Sequence, residues 1–142
     1  MGYRIKFDAK HRVVLLAFQG VVTDSSIFDA LSALSAFITT ALPVEGGIVD
    51  FSGIQEIRLS RQFVRNFVTS RPPILPEKPR VFVAPRPDIY GLARMFQLHR
   101  EMTGYVMGVV RTMDDAWRYL QLQSPEFQPV PGPAANSEQP TT

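Results

Sequence analysis

Side chains able to make or break bonds are scarce in this chain. It has no cysteine, which excludes disulfides, thiolate metal sites, iron–sulfur clusters and a cysteine nucleophile. Its two histidines, His11 and His99, stand far apart without ligand-like neighbours, so a zinc site is not expected. The sequence holds no Gly-x-Ser-x-Gly turn to expose a serine nucleophile, and no Gly-x-Gly-x-x-Gly or P-loop pattern to cradle a phosphate. What remains for polar chemistry is Asp50, Ser52, Arg58, Ser60 and Arg94. No catalytic residue, metal or cofactor is expected.

Each of these five has a functional and a structural reading. Asp50 ends the apolar run Ile48-Val49, where open α/β sheets bind ligands beyond the strand ends. It can equally accept backbone N–H bonds from Ser52 to Ile54 in an Asx-type turn. Ser52 and Ser60 could carry phosphate, Ser60 at a helix N-terminus where free N–H groups and the dipole would meet it; a capping role satisfies the same groups without modification. Arg58 forms a short basic stripe with Arg61 and Arg65, suited to an acidic partner, to anionic headgroups, or simply to solvent. Arg94 could clamp an anion, or pair with Asp88 or Asp50. Phe63, Phe67, Met95 and Phe96 would line an apolar pocket between two helices and a sheet, or form ordinary core. Gly91 would let its helix approach the sheet or a ligand closely.

The elements that must position these residues follow from periodicity. Tyr3, Ile5 and Phe7 alternate with Arg4 and Lys6, which predicts a half-buried strand, and Arg12–Gln19 predicts a deeper one joined to it by a hairpin and ended by Gly20. Thr23 or Asp24 caps a helix with Ile27, Leu31, Leu34, Ile38 and Leu42 at helical spacing, widened by Phe28 and Phe37 and stopped by Pro43. A short strand over 48–51, a helix over 59–69, a proline-rich loop, a strand over 80–84 and a helix over 89–103 capped by Asp88 come next. Gly104 fits the end of that helix. A strand over 105–110 and a last helix opened by the Thr112/Asp115 capping box complete the order. From residue 123 the chain is proline-rich with only Phe127 and Val130 as apolar bulk, so 123–142 is expected to be disordered. The order β-β-α-β-α-β-α-β-α implies a mixed five-stranded α/β sheet with about four helices, in one domain over 1–122.

Composition agrees with that class. Of 142 residues, 45% are hydrophobic and 20% charged, enough for a continuous core. The net charge of +2 is too small for the basic patch of a nucleic-acid binder. The longest apolar run, Val13–Phe18, is far short of a membrane span, and Met1–Val14 lacks a signal-peptide layout, so a cytoplasmic protein without a transmembrane segment is expected.

Three stretches carry a resemblance: Gly20-Val21-Val22-Thr23 leading into the first helix, Ile48-Val49-Asp50-Phe51-Ser52-Gly53, and Val83-Ala84-Pro85 followed by Tyr90-Gly91-Leu92-Ala93-Arg94-Met95-Phe96-Gln97. With the element order, they resemble the SpoIIAA-like family, the STAS/SEC14-type domains related to anti-sigma factor antagonists. The resemblance covers about 3–122. It implies helices mostly on one face of the sheet and a regulatory or protein-interaction role without catalysis, or a SEC14-like small apolar-ligand or lipid site. Antagonists are phosphorylated on a Ser in an Asp-Ser-Ser-Gly turn. The matching stretch here is Arg58-Leu59-Ser60-Arg61, which lacks the Asp and the Gly and places Ser60 one position off. A protein partner is expected, and a homodimer could form along the hairpin edge at Tyr3 and Arg4.

Overall fold

A computed structural model describes residues 2–41, 43–70, 78–102 and 107–130, with side chains described for all of these except 67–70 and 99–102. The period-two pattern at the start folds as β1 (Gly2–Asp8), antiparallel to β2 (Val13–Thr23), from Gly2 opposite Gln19 to Asp8 opposite Val13. The turn between them is tied down by polar contacts. Asp8 is only 1% exposed, accepts the Lys10 N–H at 3.1 Å, and lies 2.5 Å from His11 Nδ1, so its buried carboxylate is paired. Arg12 closes the turn at φ 59, in the left-handed region. From there its guanidinium crosses the Phe7 ring and donates to the Ala41 and Pro43 carbonyls, groups left over at the end of the next helix.

That helix, α1 (Asp24–Ala41), starts from Thr23. The Thr23 hydroxyl accepts the Ser26 N–H at 3.3 Å, and the Ser26 hydroxyl accepts the Thr23 N–H at 3.0 Å, a reciprocal cap. Ala30, Leu34 and Ile38 are buried, whereas Phe28 is exposed. Its position, one residue on from Ile27, turns it about 100° away from the stripe it was expected to widen.

The chain then alternates β3 (Gly46–Arg58), α2 (Arg61–Ser70), β4 (Arg80–Val83), α3 (Pro87–Met102), β5 (Met107–Val110), α4 (Met113–Tyr119) and β6 (Gln128–Pro129). The sheet order is β5-β4-β3-β2-β1-β6, parallel from β2 to β5 and antiparallel where β1 meets β2 and β6. Leu16, Phe18 and Val22 pack with Leu34, Ile38 and Ile89 of α1 and α3 on one face. Val13, Leu15, Ile48 and Val81 pack with Ala116 of α4 on the other. The Thr112 hydroxyl accepts the Asp115 N–H at 3.1 Å and caps α4, as the sequence predicts.

Several expectations need correction. Among the described residues the sheet has six strands, not five. The sixth lies in the stretch expected to be disordered: Gln128 and Pro129 pair with Phe7 and Lys6, Val130 N–H donates to Ile5, and Phe127 and Val130 pack on the two cores. Those two apolar side chains find partners already in place, which offsets the ordering cost. The rest of the expected tail, 131–142, lies outside the described residues, as does Gly104. Gly20 does not end β2; at φ 75 it lies where the β2–β3 register slips between Gly20 and Val21. A second slip lies between Ala17 and Gln19. These bulges let β3 run on to Arg58, past the Ser52-Gly53 pair that reads as a turn. Gly53 is needed there, because a Cβ would come within 2.9 Å of the Phe18 carbonyl. The third helix begins at Pro87, with Arg86 accepting the Tyr90 N–H, because proline at the first helical position loses no hydrogen bond.

Candidate functional site

Of the five polar residues singled out from sequence, Asp50 and Ser52 are joined to each other. The Ser52 N–H and hydroxyl both donate to Asp50 Oδ1, at 2.9 and 2.7 Å. The other three bind residues outside the set. Arg58 donates to Glu56. Ser60 caps α2 by accepting the Phe63 N–H at 3.0 Å, while its own N–H and hydroxyl donate to the two Asp24 oxygens at 2.9 and 2.8 Å. Asp24 thereby ties the N-terminus of α1 to that of α2. Arg94 donates to Gln97, not to Asp50 or Asp88; the Gln97 amide in turn donates to the Met107 carbonyl at 2.9 Å, deep between α3 and β5. Asp88 is taken by Arg86 instead, at 2.8 Å.

The His11 imidazole is occupied on both sides. Nδ1 faces Asp8, and Nε2 accepts the Gln123 N–H at 3.4 Å. This carboxylate–imidazole pair ties the turn to the C-terminal segment. Among the described residues, no group of three or more His, Asp or Glu side chains is arranged to hold a metal ion.

The apolar residues converge. A row of rings crosses the sheet: Phe18 stacks on Phe51 at 5.8 Å, Phe51 meets Phe82 edge-on at 5.5 Å, and Phe82 stacks on Phe96 of α3 at 5.6 Å. Beside this row, α2, α3 and the end of β3 border a half-open cavity of about 100 Å³ in which every lining side chain among the described residues is apolar. Phe63, Met95 and Phe96, expected there from sequence, are among its walls. The side chain of Phe67 lies outside the described residues. Phe51, Ile54, Ile57 and Phe82 also line it and were missed, because which strand residues reach a helical cleft depends on bulges and crossovers.

The cavity adjoins an open groove of about 530 Å³ between α2 and α3, where Ile57, Leu59, Val64, Leu92 and Met95 are shared walls and Arg61 and Arg65 form the charged part. Along α3, Leu92, Met95 and Leu98 are 36%, 47% and 53% exposed, a stripe of large apolar side chains in water. Gly91 does not bring α3 close to anything; a Cβ there would meet no atom within 4 Å.

Arg86 braces the groove from below. It donates to the Ile54 and Gln55 carbonyls at 3.3 and 2.8 Å, on the edge of β3 beyond its pairing with β4, and grips Asp88 through Nε and Nη2. Slight desolvation pushes the Asp88 pKa up, but bonding to Arg86 and the Ile89 N–H outweighs it and holds this carboxyl below the usual range.

No protein-family model matches this chain, and no curated protein matches it. Two solved structures overlap it loosely. One is a crystal structure of Mglu in its native form, 16% identical over 76% of this chain and 23% of that one, with a TM-score of 0.33. The other is native Mglu in 4.3 M NaCl, 14% identical over 80% and 27%, with a TM-score of 0.32. The chain thus spans about a quarter of the length of those structures, and the overlap is too loose to assign a fold family or a function.

Proposed function

We propose that this chain is a non-enzymatic interaction module of the STAS, SpoIIAA-like type, working in the cytoplasm, which receives apolar side chains of a protein partner in the cleft between α2 and α3. One observation carries the reading: a cavity lined, among the described residues, by apolar side chains alone opens beside exposed Leu92, Met95 and Leu98. Leaving three large apolar side chains in water on one helix costs solvation free energy of about 25 cal/mol per Å² of apolar surface, which a docked partner recovers. The hairpin followed by alternating helices and parallel strands supports the family part of the proposal. The five polar residues are engaged in bonds to neighbouring side chains and backbone groups, an arrangement better suited to holding the scaffold than to turning over a substrate.

The size of the cavity favours a side chain over a free ligand. At about 100 Å³ it is smaller than the ~150 Å³ apolar cavity that holds benzene. Small-molecule sites run to about 300–1,000 Å³. The second reading, a SEC14-like apolar ligand, draws on the apolar lining among the described residues and on the walls the cavity shares with the open groove.

A photoreactive phenylalanine analogue at position 95, compared with the same analogue at position 118 on α4, tests the function in native cells. The expected result is protein adducts from position 95 and none from 118. Equal adducts from both positions would remove the reading, and a lipid or metabolite released from the purified protein in native mass spectrometry would favour the second one.

A further inference from the structure

We propose that the segment from Gln123 to Val130 is a pH-gated latch on β1, closed while the His11 imidazole is neutral and released when the ring takes up a proton. This device is separate from the cleft between α2 and α3 and does not depend on it. Nδ1 of His11 lies 2.5 Å from the carboxylate of Asp8, which is 1% exposed, and Nε2 lies 3.4 Å from the Gln123 nitrogen. A backbone N–H can only donate, so Nε2 is the bare nitrogen of the ring. The hydrogen of the neutral imidazole is then on Nδ1 and is donated to Asp8 Oδ2. The two bonds together select one tautomer, and a proton arriving from solvent can bind only Nε2. It turns that atom into a donor facing the Gln123 N–H, so the bond between them is lost. The bond to Asp8 survives, because an imidazolium is the stronger donor to a buried carboxylate. The ring stays with β1, and the segment has to move away.

The segment is poised for this. β6 pairs with β1 over two residues only, Gln128 opposite Phe7 and Pro129 opposite Lys6, and the Val130 N–H donates to the Ile5 carbonyl at 3.1 Å. Its apolar anchors, Phe127 and Val130, are half-buried. Gln121 at φ 58 and Ser124 at φ 49 flank the latch point in the left-handed region, which residues with a Cβ keep only where their surroundings hold them. One lost bond shifts such an edge more than it shifts a central strand. The charges around the ring favour opening. Lys10 Nζ donates to the Gln123 carbonyl at 3.4 Å, so a protonated His11 sets a second cation against the same residue. Glu126 stands on the segment itself and lines a groove with Asp8 and Lys10. The other charged groups of the neighbouring elements are engaged elsewhere. Arg12 lies over Phe7 and donates to the Ala41 and Pro43 carbonyls. Glu45, whose N–H donates to the Arg12 carbonyl, is paired with Lys78 at 3.0 Å. Asp115 and Arg118 of α4 pair with each other at 2.7 Å. Release frees the outer edge of β1 from Ile5 to Phe7, where another strand could add.

Hydrogen exchange on the whole protein tests the latch. The readout is the protection factor of the Val130 N–H, corrected for the intrinsic pH dependence of exchange, between about pH 8 and about pH 5, where an ordinary imidazole changes charge. In the wild type it should fall by about tenfold, the effect of one lost hydrogen bond with its donor left facing another. The midpoint of that fall should coincide with the His11 titration followed by the ring nitrogen shifts. The Ile48 N–H, in the middle of the sheet, should keep its protection. His11→Gln, which cannot take up a proton, should show no step at Val130, and Glu126→Gln should leave the step in place. Constant protection in the wild type would overturn the latch, as would an equal fall in His11→Gln. So would a step that vanishes in Glu126→Gln, which assigns it to that carboxylate, or an Nε2 that already carries hydrogen at about pH 8. If His11→Gln leaves Val130 unprotected throughout, the wild-type midpoints decide: coincidence supports the latch and divergence overturns it. None of these outcomes touches the docking function of the α2–α3 cleft.

Discussion

From Gly46 to Asp50, β3 is paired on both sides, by β2 and by β4, and Ile48 is buried under α4. From Phe51 to Arg58 the same strand keeps β2 but has run past β4; its other edge meets the Arg86 guanidinium, and its side chains line the cavity. The first half is surrounded by structure and has little to offer a partner. The second pairs with β2 along one edge and takes the Arg86 guanidinium at Ile54 and Gln55 on the other, and the groove opens next to it. Close packing confers stability on the closed half, whereas Phe51, Ile54 and Ile57 of the open half face α2 and α3 across a cavity, with Leu92 and Met95 of α3 exposed at its margin.

The contrast can be broken at its strongest point. Ile48→Ala should cost about 2–5 kcal/mol, since it empties space in a core that cannot collapse, while Met95→Ala on the open side should stay within about 0.5 kcal/mol. Urea titration of both variants measures the gap; similar losses would mean that the groove wall on α3 is packed as closely as the closed half of β3. Next in size is Arg86→Ala. Removing the guanidinium strips the Ile54 and Gln55 carbonyls of their donor and Asp88 of its partner, with an expected loss of about 1–2 kcal/mol for a partly exposed site. Hydrogen exchange should quicken at residues 54–58 and stay unchanged at 46–50.

Gly91→Ala works in the opposite direction. Its Cβ meets nothing, so the helix gains propensity without a clash, and stability should rise by about 0.5–1 kcal/mol with the groove intact. The smallest effect concerns pH. Asp88 is held below its ordinary range, so its contribution is present above the unfolded carboxyl value of about 3.9 and is lost as pH falls through the lowered folded value. The urea midpoints of wild type and Asp88→Asn should therefore differ at neutral pH and converge in acid. A gap that persists in acid would assign the effect to packing and not to charge.

Local signals in the sequence were readable where the bonds themselves are local. The Thr112/Asp115 cap, the Tyr3-Ile5-Phe7 alternation and the Leu34/Ile38 stripe each involve residues within one turn or one strand of each other. Phe63, Met95 and Phe96 could be placed near a common pocket because helical spacing orients each of them independently. The polar residues were harder. Ser60 reads as a capping residue, but its bond to Asp24 spans two helix starts that only the sheet brings together. Arg94 was matched to carboxylates by charge, yet the nearest acceptor is the Gln97 amide, one turn along its own helix.

The alternation of apolar and polar residues by itself determined that this chain forms a mixed α/β sheet with a leading hairpin and four helices, because periods of 2 and 3.6 commit a segment before any tertiary contact exists. Only the tertiary structure decided that β3 continues through Ser52 and Gly53, that Gln128 and Pro129 join β1, and that a cavity remains between α2 and α3. Each of these depends on backbone groups and volumes contributed by residues far away in the chain, which pairing across the sheet brings within bonding distance.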